Sequence, residues 1–414
     1  MSTTRPAFLE DFANTRSLHP LASFARASLG TAANARGEWS EIAANIPRFG
    51  FDAVTGECLG LQIEGARTNS IRNPRQEGVV IGTPGTLPTN LTIANTGGLV
   101  TNVIATGTTN GVNWVRYQAV GTASGASYVM QFESGTQIVA TPSQLWGCSL
   151  FFRAVSGSYN SVEHNVASRT SGGALVGAVA NPAIAGTATL ARYGAVVALD
   201  AGGTVARMNS GIRFGLTSTV AYDFQFEIGW YQAEAGGTVS SPILPTVASP
   251  AASTRATETY SIPVTSLETG ANFACVVIWE GVVTQAAAAG ASQTLWQADD
   301  GTDNNRYFLR NDAAGLTIAL YRTLAAASSS AAVIGTTTVN ANTRSAVSID
   351  GLGGARGSED AGAVVAQSGG PTTGITTLRI GSRPSAGDMF GFCKRLAVIP
   401  RAAANDAVIV LLSA

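Results

Sequence analysis

Short runs in which apolar and polar side chains alternate recur from about residue 46 to the carboxyl end, bounded by clusters of Gly, Asn, Asp, Ser and Thr. A helical period is nearly absent, so the pattern predicts an all-β chain. Phe224, Phe226, Ile228 and Trp230 alternate with Gln225, Glu227, Gly229 and Tyr231, which puts the first set on one face of a strand. Phe273, Cys275, Val277 and Trp279 alternate instead with Ala274, Val276 and Ile278, as expected of a strand covered on both faces. Only the tail AAANDAVIVLLSA reads as a helix, with Asn405 or Asp406 as its N-cap.

A chain of 414 residues exceeds what one ordinary core holds. Two composition shifts divide it, one near residue 70 and one at 240–256, where SSPILPTVASPAASTRA reads as a linker rich in Pro, Ser and Ala. The expected organisation is a compact amino-terminal motif with a hairpin (1–70), a segment of the length of one jelly-roll or concanavalin-like sandwich (71–239), the linker (240–256) and a second segment of such a length (257–414). Arg255, at the end of the linker, is expected to pair with a neighbouring carboxylate and to act structurally.

Composition narrows the partners. Hydrophobic residues make up 45% and charged residues 12% of the chain, and the formal net charge is −1, so no basic field favours nucleic acid or anionic lipid. No stretch is long and apolar enough to insert in a membrane, and the first residues have no signal-peptide pattern, so synthesis in a cytoplasm is expected. Lys394 is the sole lysine. Cys58, Cys148, Cys275 and Cys393 form no CxxC pair and read as buried thiols rather than a zinc or redox site.

Catalytic chemistry finds few candidates. Glycoside hydrolysis needs two facing carboxylates, whereas Glu133, Glu163, Asp200, Asp223 and Glu227 stand mostly singly. His19 and His164 are the only histidines, and neither GxSxG nor HExxH occurs. Sugar binding asks for aromatic faces beside amides and charged groups, and two segments supply them. GVNWVRYQ carries Trp114 and Tyr117 next to Asn113 and Arg116, and SGSYNSVEHN carries Tyr159 and Asn160. Tryptophans in alternating strands are more often core, so Tyr159 and Asn160 are the first choice for an exposed contact. Asp299, Asp300 and Asp303 in ADDGTDNN could hold a calcium ion, although capping a hairpin turn is the commoner use of such residues. No other cofactor is indicated.

IPRFGFDAVTGECLGLQIEGARTN at 46–69 resembles a motif of tailed-phage fibre and spike proteins. FQFEIGWYQAEAGGTVSSPILPTVASPAASTRATE at 224–258 is similar to the closing strand and linker of the same proteins. LWQADDGTDNNRYFLRN at 295–311 and GFCKRLAVIPRAAAND at 391–406 resemble a laminin-G or concanavalin-like lectin domain. The resemblance is nearest to head spikes of phage-like gene transfer agents. It implies a non-enzymatic adhesin assembled in a bacterial cytoplasm and displayed on a virion or phage-like particle surface, with 1–70 docking it to other particle proteins at a capsid vertex or spike base, 71–239 as a carbohydrate-binding-like jelly roll and 257–414 as a concanavalin-like sandwich, binding bacterial surface or capsular polysaccharide as a monomer or homo-oligomer. The rival readings are a purely structural spike or tail subunit and a polysaccharide depolymerase.

Overall fold

The computed structural model describes residues 6–52, 54–133, 137–246, 251–286, 292–312, 316–328, 331–384, 388–400 and 404–414. Its elements are almost all antiparallel strands, in agreement with the alternating pattern. They form two β-sandwiches.

In the first sandwich a five-stranded sheet runs Ala191–Ala198, Leu145–Ser156, Ala221–Ala235, Val112–Thr122 and Val100–Thr109. A six-stranded sheet opposes it, ordered Leu175–Ala180, Ser161–Arg169, Arg207–Gly215, Ser127–Gln131 and Thr92–Asn95, with Ile138–Val139 also on Arg207–Gly215. Their inner faces bury an aromatic core that includes Tyr117, Tyr128, Phe152, Phe214, Phe224 and Phe226. The alternation from Phe224 to Ile228 stops there. Ser149 pairs with Gln232 but Phe151 with Gly229, and Trp230 has a φ of 24°. This bulge sends Trp230 to the outer face and Tyr231 into the core, where one unbroken register had placed Trp230.

The second sandwich stacks two eight-stranded sheets. Strand Cys275–Val283 is covered on both faces, as its pattern predicts: Cys275, Val277 and Trp279 face the main core, while Val276 and Ile278 pack under helix Asp406–Ser413. Asn405 caps that helix, its side chain accepting from the Val408 N–H at 3.0 Å.

Strands within 1–70, the segment read as a docking motif ahead of the sandwiches, pair with strands of the second sandwich. Phe8–Asp11 and Cys58–Ile63 both pair with Gly391–Ile399, and Ser23–Ala25 pairs with Thr259–Pro263. Phe8, Phe12, Leu61 and Ile63 thereby join the second core. Without them Gly391–Ile399 would expose a row of unpaired backbone groups on one side. The hairpin read around the DAVTGE turn is present, as Phe49–Phe51 paired with Cys58–Ile63.

The expected linker also differs. Positions 240–245 are buried, and Ser253–Arg255 pairs with Arg67–Asn69. The cause is an ion cluster between the sandwiches. Arg48 bonds both Glu64, at 2.8 Å, and Glu258, at 2.6 Å; Arg26 bonds Glu258 at 2.7 Å, and Arg255 reaches Glu64 at 3.2 Å. Ser241 donates its N–H and hydroxyl to Glu64 at 2.9 and 2.6 Å. A carboxylate surrounded by such donors draws a polar segment inward that composition alone marks as exposed. The Arg255 and Glu64 pair agrees with the structural role expected of that arginine.

Candidate functional site

The outer face of the five-stranded sheet begins with an apolar patch of Val112, Phe151, Trp230 and Leu244. A hairpin of Gly30–Ala33 and Trp39–Ile42 covers it, fixed by the Thr31 hydroxyl donating to the Pro242 carbonyl at 2.7 Å and the Trp39 N–H donating to the Asn110 carbonyl at 2.8 Å. Where this cover ends, the sheet presents Trp114, Arg116 and Gln118 in alternation. Their inward neighbours Val115, Tyr117 and Ala119 fill the core.

Trp114 lies over the opposing Gly107, where an added Cβ would come within 2.5 Å of its ring. The indole Nε1 donates to Thr109 Oγ1 at 2.9 Å, which fixes the ring orientation. Register places Arg116 and Arg153 on either side of Glu227, each directly opposite it. Glu227 accepts from Arg116 Nη2 at 2.7 Å and Arg153 Nε at 2.7 Å, and its carboxylate has no exposure. The two guanidinium carbons stand 5.5 and 5.8 Å from the Trp114 ring. Further along, Gln118 accepts from Asn102 at 3.0 Å and donates to Asp223 at 2.7 Å. Beside the indole lies a groove of about 380 Å³ bordered by Arg75, Glu77, Thr106, Thr108 and Asn113.

The arrangement offers a half-buried aromatic face, two arginines held by one buried carboxylate, and amides in a row. Aromatic faces accept the C–H side of a pyranose, and planar cations and amides bond its hydroxyl or carboxylate oxygens. Because Glu227 already orients both arginines, a ligand would immobilise little additional side-chain freedom.

The residues picked from the sequence are dispersed. Trp114 is on this face. Tyr117, two positions on, is completely buried, donates its hydroxyl to Gln76 at 2.8 Å, and has its pKa pushed well above the phenol range by burial, so it cannot meet a glycan. Tyr159 packs edge-on against Phe214 at 5.0 Å and Phe224 at 5.4 Å and is half-buried. Asn160 is exposed and donates to Thr217 at 3.0 Å. This pair sits near Phe224, which lies five strand residues from the Trp114 partner Gly229, roughly 17 Å at the usual rise.

The carboxylates of the acidic loop are engaged by neighbouring side chains. Asp299 accepts from Arg379 at 2.8 Å and Gln297 at 3.0 Å, Asp300 from Thr302 at 2.6 Å and Asn305 at 2.7 Å, and Asp303 pairs with Arg306. Among the described residues no group of three or more His, Cys, Asp or Glu could hold a metal ion. On the second sandwich Phe308 and Tyr321 stack at 5.2 Å, but Arg310 already covers Tyr321 at 3.7 Å.

Sequence reasoning passed over Trp39, Arg153 and the ladder around Glu227. Arg153 and Glu227 stood at polar positions of otherwise apolar strands, a signal that an outer-face role was available.

No known protein-family profile matches this sequence, and no curated protein matches it. Among solved structures, the Ruminococcus gnavus IT-sialidase CBM40 bound to alpha2,6 sialyllactose aligns with a TM-score of 0.29 and 13% identity, over 36% of this chain and 87% of that one. The leech intramolecular trans-sialidase aligns at 0.28 and 14%, over 34% and 23% of the respective chains. The CBM22-1-CBM22-2 tandem of Paenibacillus barcinonensis Xyn10C aligns at 0.26 and 9%, over 78% and 97%. At these values no ligand or activity carries over to this chain.

Proposed function

We propose that this chain binds a polysaccharide without cleaving it, through the outer face of the first sandwich centred on Trp114, Arg116 and Arg153. The observation that carries the reading is the half-buried indole beside two preorganised arginines at the edge of an open groove. Binding without hydrolysis is supported by Glu227, whose oxygens are occupied by Arg116 and Arg153 and are therefore not free to act as a base or nucleophile.

The setting proposed for this binding is the surface of a phage-like particle, where the chain serves as an adhesin for bacterial capsular or surface polysaccharide. Its support is the resemblance of 46–69 and 224–258 to fibre and spike proteins. Those stretches contribute Arg48, Glu64, Arg255 and Glu258 to the junction, so in this reading they hold the two sandwiches together. Equilibrium titration of the purified protein with capsular polysaccharide tests the binding. Saturable binding with unchanged polymer length is expected, and Trp114→Ala should weaken it about tenfold, equivalent to about 1.4 kcal/mol. Release of oligosaccharides, or unaltered binding by Trp114→Ala, would contradict the reading. Imaging of particles with and without the protein tests the setting, since loss of a surface projection is expected.

A further inference from the structure

We infer that the cavity between the 30–42 hairpin and the five-stranded sheet is a second glycan subsite, which takes an acidic sugar residue of the same ligand. This rests on the Trp114 reading and extends it. The cavity has a volume of about 410 Å³. Trp39, Phe51, Phe151 and Leu190 wall it, with Trp39 edge-on to Phe151 at 5.7 Å, and Asn110 and Arg192 supply polar groups. Its size and mixed lining suit one or two sugar rings.

Arg192 indicates the charge of the occupant. Arg26, Arg48 and Arg255 in the neighbouring junction each pair with a carboxylate. Among the described residues Arg192 has no such partner: its Nη2 donates to Ser149 Oγ at 2.9 Å and the Ser240 carbonyl at 2.8 Å, and its buried Nε has no acceptor. Burial brings its pKa down to about 10, although Glu234 and Glu64 act in the opposite direction. A guanidinium held among neutral acceptors at the wall of an open cavity is complementary to a ligand carboxylate.

The cavity adjoins the first site. Thr109 lines it and also accepts the Trp114 indole hydrogen bond at 2.9 Å, so a single residue separates the two surfaces. Register sets Arg192 three strands across the sheet from Trp114, roughly 14 Å at the usual strand spacing, so an oligosaccharide stacked on Trp114 and continuing over the Asn110 turn reaches Arg192 with an acidic ring more than one unit further on.

The test titrates the intact protein with a hexuronic-acid oligosaccharide and with the same oligosaccharide after its carboxyl groups are reduced to alcohols. The wild type should prefer the acidic form about tenfold, with the preference shrinking at high salt. Arg192→Gln should abolish the preference while keeping affinity for the reduced form, and Trp114→Ala should weaken both forms in parallel. Asn110→Asp, which adds a negative charge at the cavity in an exposed turn, should also diminish the preference and serves if Arg192→Gln fails to fold. Equal wild-type affinity for the two forms, or a preference that survives these substitutions, overturns the acidic subsite and leaves the Trp114 site standing. Absence of binding to either form overturns both.

Discussion

Replacing Glu258 by alanine should destabilise the protein more than any surface ion-pair change. Its Oε1 accepts from Arg26 Nη1 and Arg48 Nε, each at 2.7 Å, and its Oε2 accepts from Arg48 Nη2 at 2.6 Å and the Glu64 N–H at 3.0 Å. The side chains of Arg26, Arg48 and Glu258 have no exposure. Removing the carboxylate leaves Arg26 with carbonyl partners only, while Arg48 keeps Glu64 at 2.8 Å. Breaking a buried pair in this way costs about 3–5 kcal/mol, because the remaining charge is desolvated without compensation. That is a large part of the roughly 5–15 kcal/mol that ordinarily holds a domain folded. Glu41→Ala is the control: its bond to Arg75 is equally short, at 2.6 Å, but the partners are 20% and 37% exposed, which limits the expected loss to about 0–1 kcal/mol. Urea unfolding followed by tryptophan fluorescence compares the variants. The Glu258 variant should unfold at clearly lower urea, with the two sandwiches separating into distinct transitions. If it stays within about 1 kcal/mol of wild type, like the control, the cluster does not hold the modules together.

A chain beginning at residue 71 should fail to form a native second sandwich, since Phe8, Phe12, Leu61 and Ile63 are missing from its core; a melting temperature equal to that of the full chain would refute this. Two buried groups should shape stability against pH. Burial lifts Glu359 from 4.5 to about 8, with Asp360 adding to the effect, so the folded state keeps a proton that the unfolded chain releases and stability falls as pH rises from about 4.5 to 8. Burial lowers His164 from 6.5 to about 4, so stability falls as pH drops from about 6.5 to 4, by about 3 kcal/mol in all. Between about 4.5 and 6.5 the two slopes oppose each other, and Glu359→Gln should flatten the alkaline limb in thermal melts; an unchanged limb would contradict the assignment.

Local alternation was sufficient to read most strands, because side-chain direction in a strand depends only on parity until a bulge intervenes. Cys275 to Trp279 illustrates the success, including the second covered face that helix Asp406–Ser413 occupies. Trp230 illustrates the limit, since one bulge reverses every later position. Parity also separates Trp114 from Tyr117, which lie three residues apart on opposite faces, yet the segment GVNWVRYQ does not say which face is inside. Partners distant in sequence were the least legible. The burial of Ser240 and Ser241 depends on Glu64 and Glu234, and the pairing of Phe8–Asp11 depends on a strand almost 400 residues later. Trp39 and Arg192 become neighbours of one cavity only through the folding of the amino-terminal hairpin onto the first sandwich.

The most direct test of glycan binding at this face is a crystal structure of the protein soaked with the acidic oligosaccharide. The account predicts a sugar ring stacked on Trp114 within hydrogen-bond reach of Arg116 or Arg153. Ordered sugar elsewhere on the protein, with the Trp114 face empty and free of lattice contacts, would contradict it.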